Sequence, residues 1–123
     1  MIYLKKIIAQ DLDRTASFSL ESIDGFFNIQ IPNGGYQVKV IRLIQTGSEF
    51  RIEFKHRENR HEYHVFMADI FFQFDPSVGD ILIFSKINND LFECEHIRQT
   101  NPRYPILSAH FAQDKNHKLI DNI

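Results

Sequence analysis

The sequence predicts a mainly β fold, a small closed or nearly closed barrel of about seven strands with one or two short helices. Short apolar segments recur along the chain, and tight turns join several of them. Residues 50–57 alternate most clearly, with Phe50, Ile52 and Phe54 on one face and charged side chains on the other. A closed barrel is favoured because it removes the unpaired strand edges that a Phe-rich domain would otherwise expose.

The pattern places seven strands and two short helical segments along the chain. We expect strands over residues 2–8, 26–31, 37–45, 49–57, 61–67, 81–84 and 91–97. Residues 9–24 are polar and irregular, with room for a short helix, and stretches of this kind are often functional. Single helices are expected at residues 68–74 and near 105–112. Residues 1–112 then form one binding domain, and 113–123 form a flexible tail or the start of a linker.

Composition excludes several classes of protein. A chain of 123 residues with 43% hydrophobic residues and 12 Phe can fill the core of one domain. No apolar run approaches the roughly 20 residues of a membrane span, and residues 1–8 are too short and too charged for a signal peptide. Cys94 is the sole cysteine, which excludes an intrachain disulfide and a multi-cysteine zinc site. We therefore expect a cytoplasmic protein.

Charge is distributed unevenly, although the net charge is only −2. Residues 1–60 carry 9 Lys/Arg against 7 Asp/Glu, whereas residues 61–123 carry 5 against 9. Between Gly25 and Ser48 there is no acidic residue. A chain with this asymmetry can be basic on one face while it stays near neutral overall.

The candidates for catalysis are weak, so we expect no catalytic site, no metal and no cofactor. His61 and His64 are an odd number of positions apart and point to opposite faces of a strand, which argues against a shared metal. Cys94 lies between two glutamates, whereas a nucleophilic thiol needs an electropositive setting. Glu53 and Lys55 form half of a restriction-nuclease signature, but the accompanying aspartate would have to be the distant Asp24.

Two polar segments are typical of a binding surface. The first arm, residues 10–22, is rich in Ser and Thr, and the second arm, residues 57–61, is the tip of the predicted hairpin. Arginine pairs bidentately with guanine and asparagine with adenine, and a two-stranded ribbon fits the major groove of DNA. The two arms would project from one rigid barrel as a clamp.

The order of elements over residues 3–97 resembles the B3-like DNA-binding pseudobarrel of plant transcription factors and of restriction specificity domains such as those of EcoRII, BfiI and McrBC-type GTPases. The resemblance rests on a first strand at residues 3–8, a polar arm ending at 27–32, a hairpin with a basic tip at 50–67, and Gly79-Asp80 before the strand at 81–85. It implies that both arms grip the major groove of double-stranded DNA. The candidate DNA-binding residues are Gln10, Arg14, Thr15, Ser17, Lys55, Arg57, Asn59, Arg60 and His61.

The expected function is therefore a sequence-specific specificity domain of a restriction-modification system, without catalysis of its own. It would serve a fused or associated effector, either a nuclease or a motor. A protein-interaction module also stays open, because polar loops on a barrel serve that purpose equally well. Two further alternatives act on nucleic acid. One is a PUA-like barrel that reads RNA or a modified base through an aromatic pocket, with Phe26, Tyr36 and Tyr63 as candidates. The other is a Mg²⁺-dependent nuclease that uses Glu53 and Lys55.

Overall fold

The computed structural model describes residues 1–13, 16–20, 23–58 and 62–123, apart from the side chain of Asp24. In these residues eight strands form one sheet in the order β2-β5-β4-β3-β7-β6-β1-β8. The strands are β1 (Ile2–Lys6), β2 (Ser17–Ser19), β3 (Tyr36–Leu43), β4 (Glu49–His56), β5 (Tyr63–Phe66), β6 (Ile81–Lys86), β7 (Leu91–Ile97) and β8 (His117–Ile120). The α-helices are α1 (Ala68–Phe74) and α2 (Tyr104–Ser108), and two 3-10 helices span Ala9–Leu12 and Asp24–Phe27.

The sheet is mostly antiparallel, and its one parallel pair in the described chain joins β3 to β7. Tight hairpins connect β3 with β4 and β6 with β7, as the turn residues predict. The parallel pair brings the two hairpins side by side. The strand β1 then pairs with β6 on one edge and with β8 on the other.

The mainly β class with two short α-helices is confirmed, but the sheet is curled and open where a closed barrel was favoured, and it has eight strands instead of about seven. Its edge strands are β2 and β8, and no register joins them among the described residues. They are short, with three and four residues, so each offers few backbone groups for closure. The curled sheet nevertheless brings its edges near each other, since the rings of Phe18 in β2 and His117 in β8 lie 6.4 Å apart.

Aromatic side chains fill the concave side of the sheet. Tyr3, Phe27, Phe54, Phe84 and Phe92 are all fully buried. The ring of Phe27 lies 4.9 to 5.5 Å from those of Phe54, Phe92 and Phe84, in tilted and edge-on contacts of the favourable kind. This core gives the strands a rigid base from which the loops project.

A smaller apolar cluster lies on the other side of β1 and β6. It contains Leu4, Ile81, Ile83, Ile97 and, from α2, Leu107. Because both faces of β6 are covered, its four leading residues are all buried, as the continuous apolar run predicts.

The predicted strand at residues 26–31 is wrong. The second 3-10 helix covers Asp24–Phe27, and Asn28 then adopts a left-handed conformation with φ of 51°. Ile29 and Ile31 are buried without belonging to a strand. The alternating pattern of residues 27–31 therefore reflects the burial of every second residue in a segment without strand structure.

The helix at residues 68–74 is confirmed, whereas the helix near 105–112 is shorter and begins earlier, at Tyr104. The expectation of a tail over 113–123 is corrected for residues 117–120, which form β8 and pair with β1. In the part of the chain that the structure describes, no helix is long and apolar enough to cross a membrane.

Candidate functional site

A cleft of about 870 Å³ opens between the two arms. One wall comes from the first 3-10 helix, and the other from the facing ends of β4 and β5. Residues of β1, β2 and the start of β8 line the cleft between these walls, and Gly34 contributes from the turn before β3. The site therefore draws on elements that are far apart in the sequence.

The short strand β2 brings the two arms together. It pairs with β5, and the backbone N–H of Leu20 donates to Tyr63 O while that of Met67 donates to Ala16 O, both at 2.8 Å. The first arm is thereby fixed beside the strand that leaves the second arm. One cross-strand row runs through Lys55, His64 and Ser19, and all three side chains line the cleft.

Four predicted DNA-binding residues lie within the described chain, and all four line this cleft. They are Gln10 and Ser17 of the first arm, Arg57 of the second arm and Lys55 at its base. Lys55, Arg57 and Gln10 are exposed, so their polar groups are accessible to a partner. The other five predicted residues, Arg14, Thr15, Asn59, Arg60 and His61, lie outside the described residues.

A buried ion pair fixes the base of the first arm. The Nζ of Lys5 lies 2.8 Å from Oδ2 of Asp11, and both side chains are almost completely buried. The same carboxylate accepts a hydrogen bond from the backbone N–H of Ile8 at 2.8 Å. Since Lys5 belongs to β1 and Asp11 to the 3-10 helix, the pair ties the arm to the sheet.

His117, the first residue of β8, is held from several sides. Its Nδ1 is hydrogen-bonded to the hydroxyl of Tyr3 at 2.7 Å, and the two rings stack with an interplanar angle of 3°. Burial, together with the charge of Lys5, lowers the pKa of His117 from its ordinary value of 6.5 to about 4. The imidazole is therefore neutral near pH 7.

The second arm is anchored where it leaves the sheet. The backbone N–H of His56 donates to Gly35 O at 2.9 Å. The side chain of His56 is hydrogen-bonded through Nδ1 to Ile31 O, also at 2.9 Å. On the return strand, Glu62 lies between Ser19 and His64, with the carboxylate 3.5 Å from Ser19 Oγ and 3.4 Å from His64 Nε2. These contacts order the cleft wall beneath the arm.

The described lining of the cleft is close to balanced in charge. Its ionisable residues, besides histidines, are Lys5, Lys55 and Arg57 against Asp11, Asp13, Glu58 and Glu62. The pair of Lys5 and Asp11 is internally neutral. The remaining lining thus offers two cations at the second arm and three carboxylates spread over both walls.

Sequence reasoning missed several lining residues. Lys5 falls in the strand predicted at residues 2–8, and no local pattern marks it as buried beside Asp11. Asn116 and His117 fell in the presumed tail. The adjacent apolar residues Leu119 and Ile120 were a weak signal for a strand there.

The alternative chemistries find little support in the geometry. Lys55 lines the cleft but Glu53 does not, and no group of three potential metal ligands occurs in the described ranges. Cys94 is completely buried, and burial raises the pKa of its thiol. The aromatic candidates for a base-reading pocket, Phe26, Tyr36 and Tyr63, do not line the cleft. Phe26 lies in the aromatic core, and Tyr36 is exposed.

Two of the solved structures that are similar to this chain cover most of it. The N-terminal domain of Helicobacter pylori LlaJI.R1 matches with a TM-score of 0.75 and 18% identity, over 99% of this chain and 98% of that one. The Arabidopsis FUS3–DNA complex matches with a TM-score of 0.64 and 9% identity, over 77% of this chain and 94% of that one. No protein-family model and no curated protein sequence matches the chain.

These matches confirm the B3-like fold predicted from the order of elements. The match to LlaJI.R1 includes the C-terminal part of the chain, so β8 belongs to the shared fold. At 18% and 9% identity the likeness concerns the fold, and the function is argued from the cleft.

Proposed function

We propose that this chain is a sequence-specific double-stranded DNA-binding domain that grips the major groove with its two arms. The observation that carries the proposal is the single cleft lined by Gln10, Ser17, Lys55 and Arg57, which come from both arms. These side chains are the types that bind phosphates and base edges.

In this proposal the two arms make different kinds of contact with DNA. Lys55 and Arg57 are exposed cations beside the hairpin tip, and they are suited to phosphate oxygens. Gln10 presents an amide, which can pair bidentately with adenine. Base contacts would also come from the predicted residues outside the described ranges, chiefly Asn59 and Arg60.

The likeness to solved structures supports DNA as the proposed partner and a restriction-modification system as the proposed setting. One structural match is a complex with DNA, and the other is the N-terminal domain of LlaJI.R1, a restriction-system protein. We therefore propose that the chain supplies specificity within a restriction-modification system and acts in the cytoplasm. A nuclease or motor, fused or associated, would carry out the reaction on DNA.

A selection from randomised duplex DNA, repeated at two salt concentrations, tests this proposal. We expect one preferred sequence, and we expect Arg57→Ala, Asn59→Ala and Arg60→Ala each to cost about 1–3 kcal/mol in binding it. Arg51→Ala is the matched control, because Arg51 is an exposed arginine of β4 that does not line the cleft.

Two outcomes would contradict the proposal. One is equal binding of the selected duplex by the wild type and all three arm variants. The other is a preference for single-stranded RNA or for modified bases over plain duplex in direct competition, which would favour the RNA-reading or modified-base alternative.

A further inference from the structure

The start of β8 lies between the two arms. Asn116 and His117 line the same cleft as Gln10 and Ser17 on one side and Lys55 on the other. The position is fixed by the backbone, since Lys6 N–H donates to Asn116 O at 2.9 Å and β8 pairs with β1. A ligand that contacts both arms must therefore pass over this point.

We propose that Asn116 and His117 form a third DNA-contacting element that reads base edges between the two arms. The inference rests on the proposed function and assigns new specificity residues to the same cleft.

The chemistry of the two side chains favours bases over phosphates. The carboxamide of Asn116 carries both a donor and an acceptor, which is what base edges present in the major groove. In the neutral imidazole of His117, Nδ1 is engaged by the Tyr3 hydroxyl, so Nε2 is the nitrogen that would meet a base edge, as a donor or an acceptor according to the tautomer. Phosphates instead attract full positive charge, and Lys5, whose charge acts on His117, is already paired with the carboxylate of Asp11. His117 itself stays uncharged near pH 7 because of its burial.

The ring of His117 is also preorganised. Tyr3 holds it through a hydrogen bond and a parallel stack, and the ring of Phe18 lies 6.4 Å from it. Binding loses little side-chain entropy when a group is already fixed, so a rigid contact adds to discrimination more than a mobile one. Lys55 and Arg57, in contrast, are exposed and have long side chains with many rotamers.

The test compares His117→Ala and Asn116→Ala with the wild type on the duplex that the selection yields. Each variant should lower affinity by about tenfold and relax the preference at a base position distinct from those that Asn59→Ala and Arg60→Ala affect. Neither should change the dependence of affinity on salt, because neither removes a charge. Arg57→Ala, in contrast, should reduce the salt slope by about one phosphate.

His110→Ala serves as the matched control, since His110 is a half-buried histidine that does not line the cleft. Thermal unfolding of each variant separates a lost contact from a lost fold, and Asn116→Ala keeps the test decisive if His117→Ala unfolds. Suppose that His117→Ala and Asn116→Ala fold and bind the duplex as tightly as the wild type, while Arg57→Ala binds it more weakly. That result would overturn the third DNA-contacting element and leave the proposed function standing. A wild type that selects no duplex would overturn both.

Discussion

The buried pair of Lys5 and Asp11 makes the first arm sensitive to one substitution. Asp11→Ala would leave the ammonium of Lys5, which is 1% exposed, without its carboxylate and Ile8 N–H without its acceptor. An unpaired buried charge typically costs 3–5 kcal/mol, so we expect Asp11→Ala to lower the free energy of unfolding by about 4 kcal/mol. Urea denaturation measures this change.

The double variant Lys5→Met/Asp11→Leu is the informative comparison. Replacing a buried pair by apolar side chains of similar size is often neutral, so the double variant should recover most of the stability that Asp11→Ala loses. If the double variant is no more stable than Asp11→Ala, the cost does not come from an unpaired Lys5.

The imidazole of His117 predicts a pH dependence of stability. Its pKa is about 4 in the folded protein and 6.5 in an unpaired histidine, because burial and the charge of Lys5 disfavour protonation. The unfolded chain therefore binds the proton first as pH falls. Stability from this group is complete above pH 6.5 and is lost progressively down to about pH 4.

Comparison with His117→Gln isolates that contribution. The stability difference between wild type and variant should shrink by about 2 kcal/mol between pH 7 and pH 4.5, since carboxylates common to both proteins cancel. Far-UV circular dichroism during urea titration at each pH provides the measurement. A difference independent of pH would show that His117 is protonated in the folded state as readily as in the unfolded chain.

At the scale of elements, strong local patterns predicted the fold and weak ones did not. The run of β6 and the alternation of β4 gave strands near their observed positions, and Asp75-Pro76 correctly ended α1. Both strands that sequence analysis missed are edge strands, β2 and β8. Three or four residues carry too little periodicity to detect, and the pairing partner, which stabilises them, is distant in the sequence.

The strand β8 leads to a prediction about truncation. Leu119 packs against the main core and Ile120 against the smaller cluster, while β8 also covers the edge of β1. Removing residues 113–123 should therefore cost at least about 2 kcal/mol of stability. Removing only the exposed residues 121–123 should be nearly neutral. Equal thermal stability of both truncated chains would contradict a structural role for β8.

The candidate site was predictable only in part, because the sequence shows its residue types but not the strand pairing that brings them together. Residue types identified Gln10, Ser17, Lys55 and Arg57, because polar arms and a charged hairpin tip are visible in the sequence. That the two arms meet depends on the pairing of β2 with β5, which joins segments almost 50 residues apart. His117 joins them from a still more distant strand.

At the scale of the whole molecule, charge balance limits non-specific binding. The net charge is −2, and carboxylates line both walls of the cleft beside Lys55 and Arg57. Among the described residues, a lining with this charge balance would release few counterions on binding a duplex, so it would add little affinity for arbitrary sequences. Under the proposed function, discrimination between sequences would then come mainly from base contacts.

This balance can be shifted without touching the proposed base contacts. Asp13 and Glu58 are exposed residues of the two arms that line the cleft, and their carboxylates would repel the phosphates of a bound duplex. The double variant Asp13→Asn/Glu58→Gln should bind a scrambled duplex about tenfold more tightly in low salt while affinity for the selected site rises less, so discrimination falls. Glu53→Gln is the control, because Glu53 is exposed on β4 outside the cleft. Fluorescence anisotropy with both duplexes gives the ratio, and an unchanged ratio would mean that the acidic residues do not face the DNA.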